Sequence, residues 1–445
     1  MIATLRFYLL ASLALIPFAL SAWWFDWAKV GVALDVMLLL AVIIDWQITP
    51  QTKLLDADRE VDERLSIGRD NEVTLTIKYS GGTPIKCQVK DDSPETIAST
   101  AQILTLELAP EKSCQVKYIL SPKRRGAYKF GNINLRYTSK LGLFEREKKI
   151  KKPQEIKVFS DLKALHDLSI RLSHSTELGE LHQRKRGQGT DFASLKEYSE
   201  GDNFRAIDWR ATARRDRPVI RTYEAEQEQR MLILVDAGRM MVSDLEGLTR
   251  FDRALNAALC LALTGLSHND QVGIGIFAEK PLLYLPPKRG KQYMRRILES
   301  SFAVEPRMVE PDYPGILSYF ASAQKGRSLM VVLTDLTDPT GSQSLLSGLA
   351  SLAPRHLPFC VTLKDRQIAQ YAGRELALIG QEKKQSHELQ EAIYQKAVAI
   401  DLGSQRELAL SVLTRRGCLV LDAPPQELSD RLVDKYLEVK SRGRL

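Results

Sequence analysis

Residues 187–221 read GQGTDFASLKEYSEGDNFRAIDWRATARRDRPVIR, and their second half sets Asp202, Arg205, Asp208 and Arg210 within nine positions. Carboxylates and guanidiniums at that spacing can make charge-assisted, two-pronged hydrogen bonds. Trp209 adds a broad apolar face and one N–H donor, Arg214 adds a further cation, and Gly201 turns the chain ahead of them. Two roles follow. The set can form a surface that a protein partner reads. It can instead lock its segment onto a neighbouring domain, with the Asp–Arg pairs fixing the path and Trp209 seated in an apolar pocket. Paired charges add little net stability, although removing one partner leaves the other facing a desolvation cost.

Two more carboxylates stand out by position, because Asp236 ends the apolar run MLILVD and Asp335 ends SLMVVLTD. The histidines offer no tight metal spacing of the HExxH kind. His166, His174 and His182, eight residues apart, read as chance in a polar helix. There is no GxSxG, no GxxxxGKS/T and no GxGxxG at a strand–helix junction. The chain is therefore expected to hydrolyse no nucleotide itself and not to be an enzyme.

The elements that must position these residues can be read from periodicity. Residues 56–160 carry short alternating runs (EVTLTIKY, IKCQVK, ILTLELA, CQVKYIL, INLRYT, IKVF) separated by turn residues, the pattern of an antiparallel β-sandwich. Residues 161–218 read as a polar, basic connector that contains the Asp–Arg segment. Residues 219–445 alternate buried strands with amphipathic helices, which predicts an α/β fold with a parallel, doubly wound sheet. In such sheets ligands sit beyond the carboxyl ends of the strands, where Asp236 and Asp335 fall.

Residues 1–50 have a different character. Two apolar segments, 5–25 and 28–46, are each about the twenty residues that span a hydrocarbon core, with a polar break at Asp26 and Lys29. Trp23, Trp24, Trp27 and Trp46 sit at their ends, where indoles favour the headgroup zone. Asp35 interrupts the second segment at a cost of about 2.5–3.5 kcal/mol at a bilayer centre. A transmembrane helical hairpin is expected, and a cleaved signal peptide over the first segment is the alternative. Arg6, Lys53 and Arg59 outweigh Lys29, so both flanks and all that follows residue 50 are expected in the cytoplasm. The net charge of +8 gathers in clusters near 123–125, 148–152, 184–186, 205–221 and 288–296. A solvated surface beside an anionic leaflet accounts for them, and no zinc-finger, helix-turn-helix or aromatic–basic motif points to nucleic acid. Five scattered cysteines fit reduced thiols in such a compartment, and Cys87–Cys114 would pair only in an oxidising space.

The Asp–Arg segment, together with RRGAYKFGNINLRYTSKLGLFERE upstream, resembles the domain-of-unknown-function 58 family of bacterial proteins. In that family the signature immediately precedes a von Willebrand factor A-like (vWA) domain. The resemblance implies a vWA-like α/β domain here, behind a β-sandwich and a membrane anchor in the bacterial inner membrane. It also sets a test for metal. The vWA fold commonly binds Mg²⁺ through DxSxS after the first strand, a threonine in a middle loop and an aspartate after a later strand. Here the first element is DAGRM, with Asp236 retained and Gly238 and Met240 at the serine positions. EPDYPGIL puts Pro311-Asp312 where a hydroxyl is wanted, and Thr334-Asp335 survives. No cofactor is expected; Asp236 and Asp335 are the candidate ligands if the degenerate site holds Mg²⁺, with Asp312 or Asp338 as substitutes. Otherwise the two aspartates cap helices or bind backbone amides. Family members are commonly encoded beside MoxR-type AAA+ ATPases, which implies an adaptor linking such an ATPase to a client complex. A metal-dependent enzyme using Asp236 and Asp335, or a basic lipid- or nucleic-acid-binding surface, is the alternative.

Overall fold

The computed structural model describes residues 2–20, 26–100, 103–179, 191–199, 204, 207–215, 217–224, 229–336, 339–373 and 385–442. The chain divides into two compact units, Met1–Phe159 and Ser160–Leu445.

The first unit begins with strand β1 (Ile2–Ala3) and helices α1 (Leu5–Leu20) and α2 (Asp26–Ile48). The helical run Trp27–Leu54 is long and apolar enough to cross a membrane, and only 6% of its most apolar window is buried, so it is no core helix. The 16 residues of α1 rise only about 24 Å, short of a hydrocarbon core of about 30 Å. Of the two expected spans, one therefore reaches full length within the described residues. The helices touch closely: a Cβ on Gly31 would come within 2.8 Å of the Phe18 ring.

Eleven further strands follow: β2 (Leu55–Glu60), β3 (Arg64–Ser66), β4 (Asn71–Tyr79), β5 (Ile85–Asp91), β6 (Ala98–Ser99), β7 (Leu104–Leu108), β8 (Ser113–Ser121), β9 (Gly126–Phe130), β10 (Ile133–Thr138), β11 (Phe144–Ile150) and β12 (Gln154–Phe159). They form sheets ordered β1-β11-β10-β5-β7, β2-β4-β8-β6 and β3-β12-β9. All pairings are antiparallel except β3 with β12. Alternation drives this. In β4, Val73, Leu75 and Ile77 are fully buried while Glu72 and Lys78 face water. One buried ion pair crosses between sheets, from Arg59 on β2 to Asp91 on β5, with Tyr118 of β8 donating to Asp91 Oδ2 at 2.6 Å. Cys87 and Cys114 lie in different sheets, and both are free thiols. Burial pushes the Cys87 thiol up to about 11.

The turn between β10 and β11 holds both apolar helices. Thr4, just before α1, donates its hydroxyl to Gly142 O (2.6 Å) and its N–H to Leu143 O (3.1 Å). Asp45, fully buried in the last turns of α2, accepts from the backbone N–H of Leu141 (2.8 Å) and of Leu143 (3.3 Å). Arg146 of β11 donates to Trp46 O (2.7 Å) and Pro50 O (3.0 Å). The start of one helix and the end of the other thus meet at one turn.

The second unit opens with α3 (Leu162–Gly179), β13 (Asp191–Glu197), α4 (Trp209–Arg215), β14 (Val219–Glu224) and β15 (Arg230–Asp236). A small ribbon, β16 (Asp244–Leu245) with β17 (Leu248–Thr249), leads to α5 (Arg250–Ser267), β18 (Gln271–Phe277), β19 (Pro281–Lys288), α6 (Gln292–Ser301) and α7 (Tyr313–Ser322). Then come β20 (Leu329–Thr334), α8 (Pro339–Leu352), β21 (Leu357–Leu363), α9 (Arg366–Gly373), α10 (Gln385–Arg415), β22 (Leu419–Ala423) and α11 (Leu428–Ser441). The main sheet is ordered β19-β18-β15-β20-β21-β22. Its strands are parallel except the edge strand β19, in which Pro281, Pro286 and Pro287 lack N–H groups.

Alternate residues of each central strand enter different cores. Met231, Ile233 and Val235 pack with α3, α5, α6 and α11, whereas Leu232 and Leu234 pack with α7, α8 and α10. Burial on both faces is why these strands read as unbroken apolar runs. Leu165, Leu168 and Leu172 of α3 belong to the first of these cores, so the beginning of the stretch expected as a connector is part of the α/β unit. Tyr436 and Lys440 of α11 close on buried Asp270, with Lys440 Nζ at 2.7 Å from both carboxylate oxygens.

At the amino ends of β20 and β21, Ser328 Oγ and His356 Nδ1 lie 2.9 Å apart, both buried. Burial holds the His356 imidazole below its ordinary value of 6.5. The unfolded chain then binds the extra proton first, so stability is complete above 6.5 and is lost as pH falls towards the folded value. Urea midpoints measured between about pH 7 and 5 should fall less steeply in His356→Gln than in the parent.

Candidate functional site: the carboxyl edge of the α/β sheet and the signature segment

Strands β15 and β20 run side by side and deliver Asp236, Thr334 and Asp335 to the carboxyl edge of the sheet. Asp236 is 1% exposed. Its Oδ2 accepts from Tyr313 Oη (2.7 Å) and Thr334 Oγ1 (2.6 Å), and its Oδ1 accepts from Gly238 N (2.7 Å). Burial pushes this carboxyl above its ordinary value, against the opposing pull of those donors, and the same burial raises the Tyr313 phenol. The hydroxyl that the sequence lacked at Pro311-Asp312 is supplied one residue later, by Tyr313. It closes on Asp236 itself.

Asp335 has a different environment. Its Oδ2 pairs with Arg250 at the start of α5, and its Oδ1 accepts from Arg406 Nη1 of α10 (2.9 Å) and from Leu336 N (2.8 Å). Arg250 also reaches Asp365 (2.9 Å), and Arg406 reaches Asp422 (2.7 Å) and Leu363 O (2.8 Å). Thr362 donates to the same Asp422 oxygen at 2.8 Å. Two guanidiniums and three carboxylates thus interlock across α5, α10 and the ends of β20, β21 and β22. Desolvation pulls the Arg250 guanidinium below its usual value, partly offset by Asp365.

A divalent cation wants six or more oxygen donors with free lone pairs. The residues here do not fit one. Asp335 spends both oxygens on guanidiniums, and Asp236 spends both on internal donors. The first serine position is closed as well, because a Cβ on Gly238 would sit 2.5 Å from Pro311 Cγ and 3.0 Å from Val309 O. Met240 is a thioether and a poor Mg²⁺ ligand. Asp312 caps α7 by accepting from Gly315 N at 3.2 Å. Asp338 lies outside the described residues. Among the described residues no group of three or more His, Cys, Asp or Glu side chains is placed to hold a metal ion. As placed, Asp236 and Asp335 are each committed to their own internal partners, and each binds a backbone amide nearby. Restoring the motif with Gly238→Ser should destabilise the α/β unit by about 1–3 kcal/mol, since the hydroxymethyl group must displace a proline ring. Asp236→Asn should leave thermal stability unchanged or slightly raised, because the neutral amide avoids a buried charge and both hydroxyl partners can rotate to accept from it. Differential scanning fluorimetry reads both.

The signature segment lies on a separate part of the unit. β13 and β14 pair antiparallel, and α4 lies between them in the chain. Asp208 caps α4, its Oδ1 accepting from Arg210 N (3.0 Å) and Ala211 N (3.1 Å), while Thr212 Oγ1 accepts from Val219 N (3.1 Å). Arg210 and Arg214 are exposed. Trp209 is 63% exposed, edge-on to Phe204, which is 64% exposed, with ring centroids 5.9 Å apart. Gly201, Asp202 and Arg205 lie outside the described residues, so their expected pairings do too.

Residues 194–399 match the family model described as protein of unknown function DUF58. That match covers a little under half of the chain. The uncharacterized protein YeaD of Bacillus subtilis (strain 168) is 23% identical over 259 residues, covering 54% of this chain and 60% of the relative. The uncharacterized protein Rv1480 of Mycobacterium tuberculosis (strain H37Rv) is 22% identical over 181 residues, 40% of this chain and 56% of the relative. This chain thus spans 56% to 60% of the length of these relatives. Similar solved structures include the SpRpn10 VWA domain, 15% identical over 47% of this chain and 95% of that one, with a TM-score of 0.28. Another is the conserved hypothetical protein BatB from Bacteroides thetaiotaomicron, 10% identical over 48% of this chain and 99% of that one, also at 0.28.

The second unit also contains an apolar surface that the sequence reading missed. Ile368, Tyr371, Tyr394, Val398, Ala399 and Leu402 line a groove between α9 and α10. Tyr394 is 71% exposed, and Ile393 and Ile400 are about half exposed. The signal was present in sequence as AIYQKAVAI, but its polar flanks masked it.

Proposed function

We propose that this protein is a membrane-anchored protein-interaction adaptor, whose vWA-like, doubly wound α/β domain binds protein partners and performs no chemistry of its own. The observation that carries the reading is the apolar face left on α9 and α10, since contiguous exposed apolar side chains of this kind mark contact surfaces. The exposed Phe204–Trp209 pair beside Arg210 and Arg214 adds a second contact, of the residue types that dominate binding energy at interfaces. The closed carboxyl edge argues against a metal-dependent enzyme built on Asp236 and Asp335.

The anchor is a two-span hairpin in the bacterial inner membrane, with the folded units in the cytoplasm. Support comes from Thr4 and Asp45, which hold the two helix ends to one turn, and from Arg6 and Lys53 on the flanks. The partner, on the family resemblance, is a MoxR-type AAA+ ATPase, and ATP hydrolysis belongs to that partner. A pull-down from native membranes tests this with the intact protein, with Trp209→Ala/Arg210→Ala and with Tyr394→Asp, each variant first shown to unfold at the parent temperature. An AAA+ ATPase should co-purify with the intact chain and be depleted from at least one variant. Recovery of no ATPase with the intact chain overturns the adaptor reading.

A further inference from the structure

We propose that the turn 139–142 of the first unit is itself a membrane-contacting element. It would seat Leu141 among the lipid headgroups and the first acyl carbons, with Lys140 and Arg6 against the phosphates. The proposal rests on the reading of α2 as a membrane span.

The depth of the turn follows from its hydrogen bonds. Trp27 and Asp45 are eighteen residues apart in one helix, a rise of about 27 Å, close to the thickness of a hydrocarbon core. With Trp27 at one interface, Asp45 and Trp46 fall at the other. The Asp45 carboxylate is bonded to the backbone N–H groups of Leu141 and Leu143, and Thr49 Oγ1 accepts from Lys140 N at 3.3 Å. The turn is therefore fixed at the level where the bilayer ends. Its own geometry is rigid: Gly142 N donates to Ser139 O (3.0 Å), Phe144 N donates to Ser139 Oγ (3.1 Å), and Gly142 has φ +77°.

A single exposed leucine is ordinary on a protein surface. What distinguishes Leu141 is its surroundings. It is 48% exposed, and Trp46 in the adjoining helix end is 55% exposed, as suits an interfacial indole. Lys140 is exposed, and the Arg6 guanidinium reaches to 3.0 Å from the position a Gly142 Cβ would take. An apolar tip flanked by cations, held at the end of a span, matches the chemistry of a bilayer interface carrying anionic lipid.

The test uses the full chain with Cys114→Ser, the other four cysteines being buried. A polarity-sensitive fluorophore is placed singly at Leu141→Cys, Leu39→Cys or Lys151→Cys, in phosphatidylethanolamine–phosphatidylglycerol vesicles with and without spin-labelled lipid. Leu39 lies in α2, and Lys151 follows the far end of β11, about 20 Å away along the strand. The expected result is blue-shifted emission and strong lipid quenching at 39 and 141, with neither at 151. Quenching at 39 alone overturns the proposal and leaves the span intact. A blue shift at 141 without lipid quenching means that protein covers the turn, which also overturns it. No quenching at 39 removes the span, and the proposal with it.

Discussion

Asp335→Ala is expected to destabilise the α/β unit by about 3 kcal/mol, the lower end of the cost of breaking a buried ion pair. The carboxylate is fully buried, and its loss leaves Arg250 and Arg406, at 9% and 11% side-chain exposure, without their shared partner. Asp365 and Asp422 still hold the outer nitrogens, which keeps the cost from reaching the top of the range. Urea unfolding of the full chain in detergent, with hydrogen exchange followed in β20 and α10, measures the loss. Exchange should accelerate in both elements together, because the cluster joins them. A loss below about 1 kcal/mol would mean that the cluster is no more than a surface pairing.

Asp91→Ala should cost the sandwich about 3–5 kcal/mol. Arg59 and Asp91 have side-chain exposures of 1% and 0%, and Arg59 also lies 4.2 Å above the Phe130 ring. Truncating the carboxylate leaves the guanidinium charge with backbone carbonyls as its hydrogen-bond acceptors and removes the acceptor of the Tyr118 hydroxyl. In the parent, burial, with the Asp91 charge beside it, holds that phenol far above its ordinary range. The double variant Arg59→Met/Asp91→Leu should recover most of the loss, since apolar side chains of similar volume often replace a buried pair without penalty. If it recovers none, the pair is fixing the alignment of the two sheets rather than neutralising charge.

Much of the fold was legible because burial leaves a pattern. Runs such as MLILVD and SLMVVLTD have the pattern of strands covered on both faces, and the alternation in EVTLTIKY that of a strand covered on one. Strand β19 was not legible, because PLLYLPPK carries three prolines that read as breakers and are tolerated only at a sheet edge. The docking of α3 onto the α/β unit was not legible for a different reason. Three leucines suffice to dock the helix, and they are diluted by polar neighbours. The sheet edge itself was half legible. Position alone placed Asp236 and Asp335 there, but nothing local in the sequence pairs Asp335 with Arg250 and Arg406, which lie far away in the chain. The closure of Gly238 by Pro311 and the hydroxyl of Tyr313 are likewise facts of packing.

The prolines of β19 also bear on how copies of this protein live together. On the anchoring proposed above, a bilayer confines the chains to a plane, where encounters are frequent and orientations are restricted. An open strand edge would there invite ladder formation between neighbours, the first step towards an insoluble array. Three of the eight residues of β19 cannot donate to such a ladder. This edge therefore resists ladder pairing with a second copy of itself.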